Sequence, residues 1–306
     1  MTEIKENDII SEKTAVALGL FDGVHSGHKL IISKALNYTQ KGFVPAVFTF
    51  RTESVKFKHG KTFEYIYTNE YKLEILGNLG VKYAFSPDFE DLKNMEGEDF
   101  VKKILCQKMN IGAVVCGENF RFGKNASCGV NELRKFGEKY RFDVSVIELS
   151  HGKFSSEKYR NMLREGKVNE LRILGNTYSL CTEVTEGNKI GRTIDFPTIN
   201  QHFAENQLVL KRGVYITSTV IDGQTYSSIT NVGVKPTVEK DIKPLSETHI
   251  IGYNGNLYGK KIKVEFLDFI RDEMKFKSID ELKKQIKKDI EYTKQITSEV
   301  VSGGKD

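Results

Sequence analysis

The stretch TAVALGLFDGVHSGHKLIISKALN, residues 14–37, passes from an aliphatic run through a polar turn holding two glycines and two histidines into a helix-like pattern. A short apolar run that ends in glycine reads as a strand buried on both faces. The pattern then repeats. FVPAVFTF (43–50), VKYAFSP (81–87), GAVVCG (112–117) and FDVSVIEL (142–149) supply further strands. Helical segments fall between them at about 28–40, at Glu70 to Leu79, at 98–109 and near 130–139. Strand and helix in turn imply a parallel sheet covered on both faces, an α/β Rossmann-like domain.

The length of 306 residues suits two domains. Hydrophobic residues at 39% and charged ones at 28% describe an ordinary soluble globular protein, neither disordered nor fibrous. No apolar run approaches the length of a membrane span, and MTEIKENDII lacks the basic-then-apolar build of a signal peptide, so the expected location is cytoplasmic. Cys106, Cys116, Cys128 and Cys181 show no CxxC spacing and are expected reduced. The formal charge of +5 is spread along the chain. With no nucleic-acid motif or basic stripe, neither a nucleic-acid nor a membrane partner is expected.

After about residue 150 the texture changes. SSEKYRNMLREGKVNELRILG reads as a short helical pair broken at Gly166. Short β runs follow, separated by Gly and Asn turns: YSLCTEV, GVYITSTVIDGQTYSSITNVG, ETHIIGY and KKIKVEFLDFI. The Asp-Gly pair inside the second is a hairpin signal, and the set predicts a small antiparallel barrel. A closing helix follows, with a capping-box spacing at Ser278 and Glu281 and an apolar stripe of Leu282, Ile286 and Ile290. The expected domains are 1–152, a helical linker 153–174, and 175–306.

A strand that ends in a glycine turn and opens a helix brings backbone N–H groups and the positive helix end to one point, which favours an anion. Gly23 and Gly27 permit close approach there, and His25 and His28, three apart, can donate to the same anion. A plain helix cap, with Asp22 and Ser26 as the capping groups, is the alternative. Further on, GNKIGRTIDFPTIN (187–200) pairs two glycines with an arginine and leads into Thr198 and Asn200. Two residues apart on a strand, their oxygens share a face and suit a phosphate-bound Mg²⁺. A hairpin with a proline-terminated turn accounts for the same spacing.

GLFDGVHSGH resembles the nucleotidyltransferase signature of the bacterial bifunctional riboflavin kinase/FMN adenylyltransferases, or FAD synthetases, and VVCGENFRFGKNASCG (114–129) resembles that family's second motif. The segments GR…FPTIN, NVGVKPT and ETHI are similar, in the same order, to its kinase blocks. The resemblance implies an adenylyltransferase-like domain followed by a riboflavin-kinase β-barrel with a C-terminal helix. In the first, His25 and His28 would stabilise the ATP phosphates, with Phe21, Asp22, Gly23, Gly27, Asn119, Ser155, Ser156 and Arg160 around the nucleotide. In the second, Glu247 would be the general base on the riboflavin 5′-hydroxyl, and Gly187, Gly191 and Arg192 would contact nucleotide. Thr198 and Asn200 would hold Mg²⁺, and Arg271 would lie near the flavin. His249 shares the face of Glu247, either to orient it or to pack. The implied small molecules are riboflavin, FMN, FAD and ATP as co-substrate, with no prosthetic group and a monomer or weak oligomer.

Three segments depart from the family pattern. Glu157 stands in FSSEKYR where a threonine is usual, FTFRTES replaces Glu-Pro-His-Pro after the second strand, and Asp195 replaces a glycine before Phe-Pro-Thr. A carboxylate beside a triphosphate repels it strongly when desolvated and weakly when solvent screens it. A riboflavin kinase with a degenerate adenylyltransferase domain, or a non-catalytic flavin-binding protein, are therefore the alternative functions.

Overall fold

The computed structural model describes residues 1–58, 61–148, 155–187, 191, 194–236 and 242–302. Arg192 and the last four residues lie outside the described set. The chain divides into two compact units, Met1–Tyr159 and Arg160–Asp306.

In the first unit the strands are β1 (Thr2–Ile4), β2 (Thr14–Leu18), β3 (Val44–Phe48), β4 (Phe57–Lys58), β5 (Lys61–Thr62), β6 (Tyr83–Phe85), β7 (Ile111–Gly117) and β8 (Asp143–Ile147). The helices are α1 (Ser26–Asn37), α2 (Asn69–Asn78), α3 (Phe89–Leu92), α4 (Gly97–Asp99) and α5 (Val130–Tyr140). Among the described residues, β1-β6-β3-β2-β7-β8 form one parallel sheet and β4 pairs with β5. Alternation explains why both faces are covered. Val16, Leu18, Phe48, Val114 and Cys116 belong to one core with Val101, Leu105 and Leu133. Ala17, Val47 and Val115 belong to the other, with Ile31, Ile32 and Ala35 of α1 and Leu73 and Leu76 of α2. Each such large aliphatic side chain contributes about 1.5–3 kcal/mol by leaving water.

β2 has β3 on one side and β7 on the other, so the chain leaves it in one direction and returns on the opposite flank. That reversal opens a crevice beyond the C-terminal ends of β2 and β7, where ligands of open α/β sheets bind. Three details differ from expectation. Helix α1 begins at Ser26 and ends at Asn37, two residues earlier than the pattern suggests at the start. The helix expected at 98–109 continues from α4 as a π-helix over Phe100–Lys108. Its wider turn lines up residues four to five apart, and Phe100, Ile104, Leu105 and Met109 are all buried. Strand β1 carries too short an apolar signal to announce itself, and its pairing with β6 is what makes it a strand.

The division between units falls within helix α6 (Ser156–Arg164), which α7 (Val168–Ile173) follows. Strands β9 (Tyr178–Thr185), β10 (Ile199–His202), β11 (Gly213–Ile221), β12 (Gln224–Pro236), β13 (Ile242–Ile250) and β14 (Lys261–Arg271) come next, then α8 (Ile279–Ser302). The strands close a barrel in the order β10-β13-β12-β11-β14-β9, each pair antiparallel. The β11–β12 hairpin turns at Asp222 (φ 48°) and Gly223 (φ 82°), the left-handed pair that an Asp-Gly hairpin requires. Inside the barrel, Thr217, Thr219, Ser228, Thr230 and Thr248 share hydroxyl hydrogen bonds of 2.8–2.9 Å, which satisfies their buried polar atoms. No helix of the described residues is long and apolar enough to cross a membrane.

Candidate active sites

The turn after β2 is strained. Phe21 (φ 51°) and Val24 (φ 38°) hold left-handed backbone without being glycine, on either side of Gly23 (φ 79°). A β-branched residue in that region costs energy and persists only where the surroundings impose it, which is typical of functional turns. The surroundings are visible: Asp22 Oδ1 accepts from Ile66 N at 2.8 Å, and a Cβ on Gly23 would meet Ile66 Cδ1 at 2.8 Å. Asp22 thus ties the turn to the segment at Ile66. His25 is the N-cap of α1, gives no side-chain cap, and no acidic residue occupies the first turn. The helix thus presents its positive end with no carboxylate of its own to balance it.

The His25 and His28 rings stack with centroids 3.7 Å apart and planes 20° apart, and the edge of Phe21 meets His28 at 5.3 Å. The two imidazoles thus lie face to face at the start of α1. Ser156 Oγ lies 3.2 Å from Asp22 O and 3.4 Å from His25 Nε2. Ser155 Oγ accepts from Lys158 N at 3.1 Å, so its hydroxyl caps α6. Glu157 is exposed in the first turn of α6, where a helix dipole favours a carboxylate and water screens it. Asn119 is exposed just beyond the C-terminal end of β7, and Arg160 is buried on α6. Arg51 pairs with Asp88 at 3.1 Å and Glu3 at 3.8 Å, so the segment replacing Glu-Pro-His-Pro is tied to its own neighbours.

One cation here escaped the sequence reading. Lys72 of α2 is wholly buried, and its Nζ donates to Phe50 O (2.7 Å), Thr49 Oγ1 (3.1 Å) and Leu20 O (3.4 Å). Burial pulls its pKa from 10.5 down to about 7, against the attraction of Asp22 and Glu53. Tyr67 and Tyr159, whose hydroxyls meet at 3.3 Å, were equally illegible, and Tyr159 packs on Gly23. Burial raises the Tyr159 phenol well above its usual pKa.

In the barrel, the site is a row. Register pairs Asn200 with Glu247, Glu247 with Asn231, Asn231 with Val214, and Val214 with Arg271, across five neighbouring strands. The alternate residues supply the hydroxyl interior, so this row faces outward, beneath a cavity of about 430 Å³. Ile229, His249 and Thr198 line it on one side, and Met274, Phe276, Leu282 and Ile286 from the last segment on the other. Leu282 and Ile286 of the stripe expected on α8 thus form part of the cavity wall, and Ile290 is not among its lining residues. Asn200, with its amide turned to suit both neighbours, donates to Glu247 Oε1 at 3.2 Å and accepts from Gly187 N at 3.3 Å. Turned the other way, its oxygen would face the carboxylate, an arrangement a cation between them would stabilise. The hard oxygens of Thr198, Asn200 and Glu247 on one cavity therefore suit Mg²⁺.

The glycines have steric causes. A Cβ on Gly187 would lie 1.9 Å from Asn200 Nδ2, and one on Gly191 2.3 Å from Phe196 O. Asp195 holds φ 65°, the conformation glycine prefers, and its carboxylate accepts from Lys283 of α8 at 3.2 Å. His249 packs its ring edge-on to Phe196, and its Nδ1 meets Pro197 O at 2.8 Å, which fixes the proton on that nitrogen. Burial lowers its pKa. The imidazole clamps the Phe196–Pro197 turn. Arg271 lines the cavity, but its guanidinium is committed: Nη2 donates to buried Asp289 at 2.7 Å and Nη1 to Asp272 O at 3.2 Å. Gln285 holds the other oxygen of Asp289 at 2.8 Å. Arg271 anchors α8 over the row.

Two family models match the chain, one described as FAD synthetase over residues 7–158 and one described as riboflavin kinase over residues 174–297. A bifunctional riboflavin kinase/FMN adenylyltransferase of Buchnera aphidicola subsp. Schizaphis graminum is 32% identical over 296 residues, which cover 94% of this chain and 95% of the relative. The proteins of the same description from Listeria monocytogenes and Bacillus subtilis are 31% and 30% identical, with about nine-tenths of each chain covered. A crystal structure described as a macrolide-efflux protein from Streptococcus pneumoniae matches with a TM-score of 0.82 at 27% identity, covering 96% of this chain and 98% of that one. What that description says of efflux belongs to that protein.

Proposed function

The chain belongs to the bifunctional riboflavin kinase/FMN adenylyltransferase family, ATP-using enzymes of flavin-nucleotide synthesis, and we propose how its two sites divide the work. The barrel, within residues 175–306, phosphorylates riboflavin. The sheet domain, within residues 1–152, adenylylates the FMN so formed, and residues 153–174 join the two.

The observation that carries the kinase assignment is the Asn200–Glu247–Asn231 row under a cavity with an apolar wall. A flat flavin ring fits against Met274, Phe276 and Ile286 while a polar ribityl chain runs along the row. Glu247 takes the proton of the 5′-hydroxyl as that oxygen bonds to the γ-phosphorus of ATP, the bond to the β–γ bridging oxygen breaks, and ADP leaves. Asn200 keeps the carboxylate oriented. Thr198 and Asn200 would hold Mg²⁺, which supplies charge neutralisation for the phosphates.

In the sheet domain a phosphate oxygen of FMN attacks the α-phosphorus of ATP and pyrophosphate departs. That oxygen is already anionic, so no base is needed, and catalysis falls to positioning and charge stabilisation. His25, His28 and the amino end of α1 supply it, with Ser156 beside them. Glu157 is exposed and water-screened, which supports a working site over a degenerate one.

Purified chain supplied with riboflavin, ATP and Mg²⁺ is expected to give FMN and then FAD by chromatography. FMN without FAD would overturn the adenylyltransferase assignment. Bound flavin without either product would leave a binding protein.

A further inference from the structure

We propose that Lys72 is a positioning residue of the adenylyltransferase site, fixing the two chain segments that leave β2 and β3 so that the Phe21–His25 turn keeps its anion-binding shape; the proposal rests on the reading of that turn as the nucleotide-phosphate site. Leu20 O and Phe50 O belong to those two segments, and Lys72 Nζ donates to both. Its third donor goes to Thr49 Oγ1, whose own proton goes to Leu20 O at 2.8 Å. Three acceptors match the three protons of an ammonium. A neutral amine, with two protons, would give up one of these contacts and with it part of the tie between the two segments. The Leu20 carbonyl leads directly into Phe21, so holding it helps to impose the left-handed φ of 51° there.

Helix position and burial both disfavour a cation at this place. Lys72 lies near the amino end of α2, where the helix dipole repels positive charge, and it is buried with its amine on three uncharged oxygens. Such a residue is kept for what it joins. The charged groups around it are Asp22 on the turn, Glu53 and Arg51 after β3, and Glu3 on β1. Asp22, Glu53 and Glu3 favour the charged form, while burial, the largest influence, and Arg51 oppose it.

The test compares wild type, Lys72→Met, Thr49→Val and His28→Ala as full chains, measuring FAD formation from FMN and ATP and FMN formation from riboflavin at pH 6 to 9. Lys72→Met is expected to lower kcat for FAD formation about 10- to 100-fold while KM for ATP moves less than about threefold, because misplaced reactants cost rate more than binding. Riboflavin phosphorylation stays unchanged. The ratio of wild-type to Lys72→Met rates should be largest below pH 7, where the ammonium is present, and shrink above it. Thr49→Val should act in the same direction with a smaller loss.

If Lys72→Met keeps its kcat within twofold while His28→Ala destroys FAD formation, the positioning role is overturned and the phosphate site stands. A loss carried by KM for ATP alone also overturns it. If His28→Ala leaves FAD formation intact, the site reading itself falls. Should Lys72→Met lose cooperative unfolding, Thr49→Val decides, and an unchanged kcat in that variant overturns the proposal.

Discussion

The two candidate sites are built from different materials. At the sheet, the site is largely made of backbone: a strained turn and a helix start without an acidic residue in its first turn, with two stacked imidazoles beside them. On the barrel, it is made of side chains set in one register row, and the backbone beneath them is regular ladder. A turn can be reshaped by anything that packs on it, whereas a row keeps its alignment as long as its strands stay paired. The sheet site should therefore be sensitive to changes that touch no substrate, and the barrel site chiefly to changes in the row.

The strongest break in that comparison is Glu247→Gln. Removing the base is expected to lower FMN formation about 1,000-fold, within the usual range for a lost general base, while FAD formation from supplied FMN persists. Loss of both activities would mean the sites are not separate. His28→Ala is the mirror experiment: about a 100-fold loss of FAD formation, as for a lost charge-stabilising donor, with riboflavin phosphorylation spared. Steady-state rates with each substrate alone read both.

Gly187→Ala sharpens the barrel side. Its Cβ would lie 1.9 Å from Asn200 Nδ2, so Asn200 must leave Glu247, and FMN formation is expected to fall about 10-fold, an overpacking cost of 1–3 kcal/mol. Activity equal to wild type would show that the Asn200 contact orients nothing.

Stability tests the sheet side by pH. The folded pKa of Lys72, about 7, lies below the value of 10.5 for a free lysine. Between those values the unfolded chain holds the extra proton, so this residue's contribution makes stability rise with pH from about 7 to about 10, and its cost is complete below 7. Urea unfolding of wild type and Lys72→Met across that range should show the difference moving toward wild type as pH rises. A difference that does not vary with pH would refute the depressed pKa.

The smallest effect expected is that of Glu157→Thr. An exposed carboxylate at a helix start is screened, so FAD formation should change less than about threefold. A large gain would instead place Glu157 against the phosphates.

Much of this molecule was legible before its structure. Aliphatic runs such as 14–18 and 111–117 fall in strands because both faces of a parallel sheet are buried, and Asp222-Gly223 turns the hairpin its dipeptide predicts. The cluster around His25 stood out because its glycine turn and paired histidines carry their chemistry locally, whereas Glu247 was singled out by the family resemblance of ETHI. Other parts carried no local signal. β1 has one buried residue, and the π-helix differs from an α-helix only in which carbonyl each N–H reaches. Arg271 lines the barrel cavity, and its partner, the buried Asp289 eighteen residues later, had no local signal.

The amino-acid sequence by itself determined the alternation of strand and helix, the barrel's short strands, and the residue types at both sites, because periodicity and turn chemistry act between neighbours in the chain. The tertiary structure alone decided which of those residues meet. Asn200, Asn231 and Glu247 become one row only when the barrel closes, and a lysine of α2 reaches the ends of β2 and β3 only when the helix packs on the sheet. Register and burial are properties of distant segments brought together, and no local pattern encodes them.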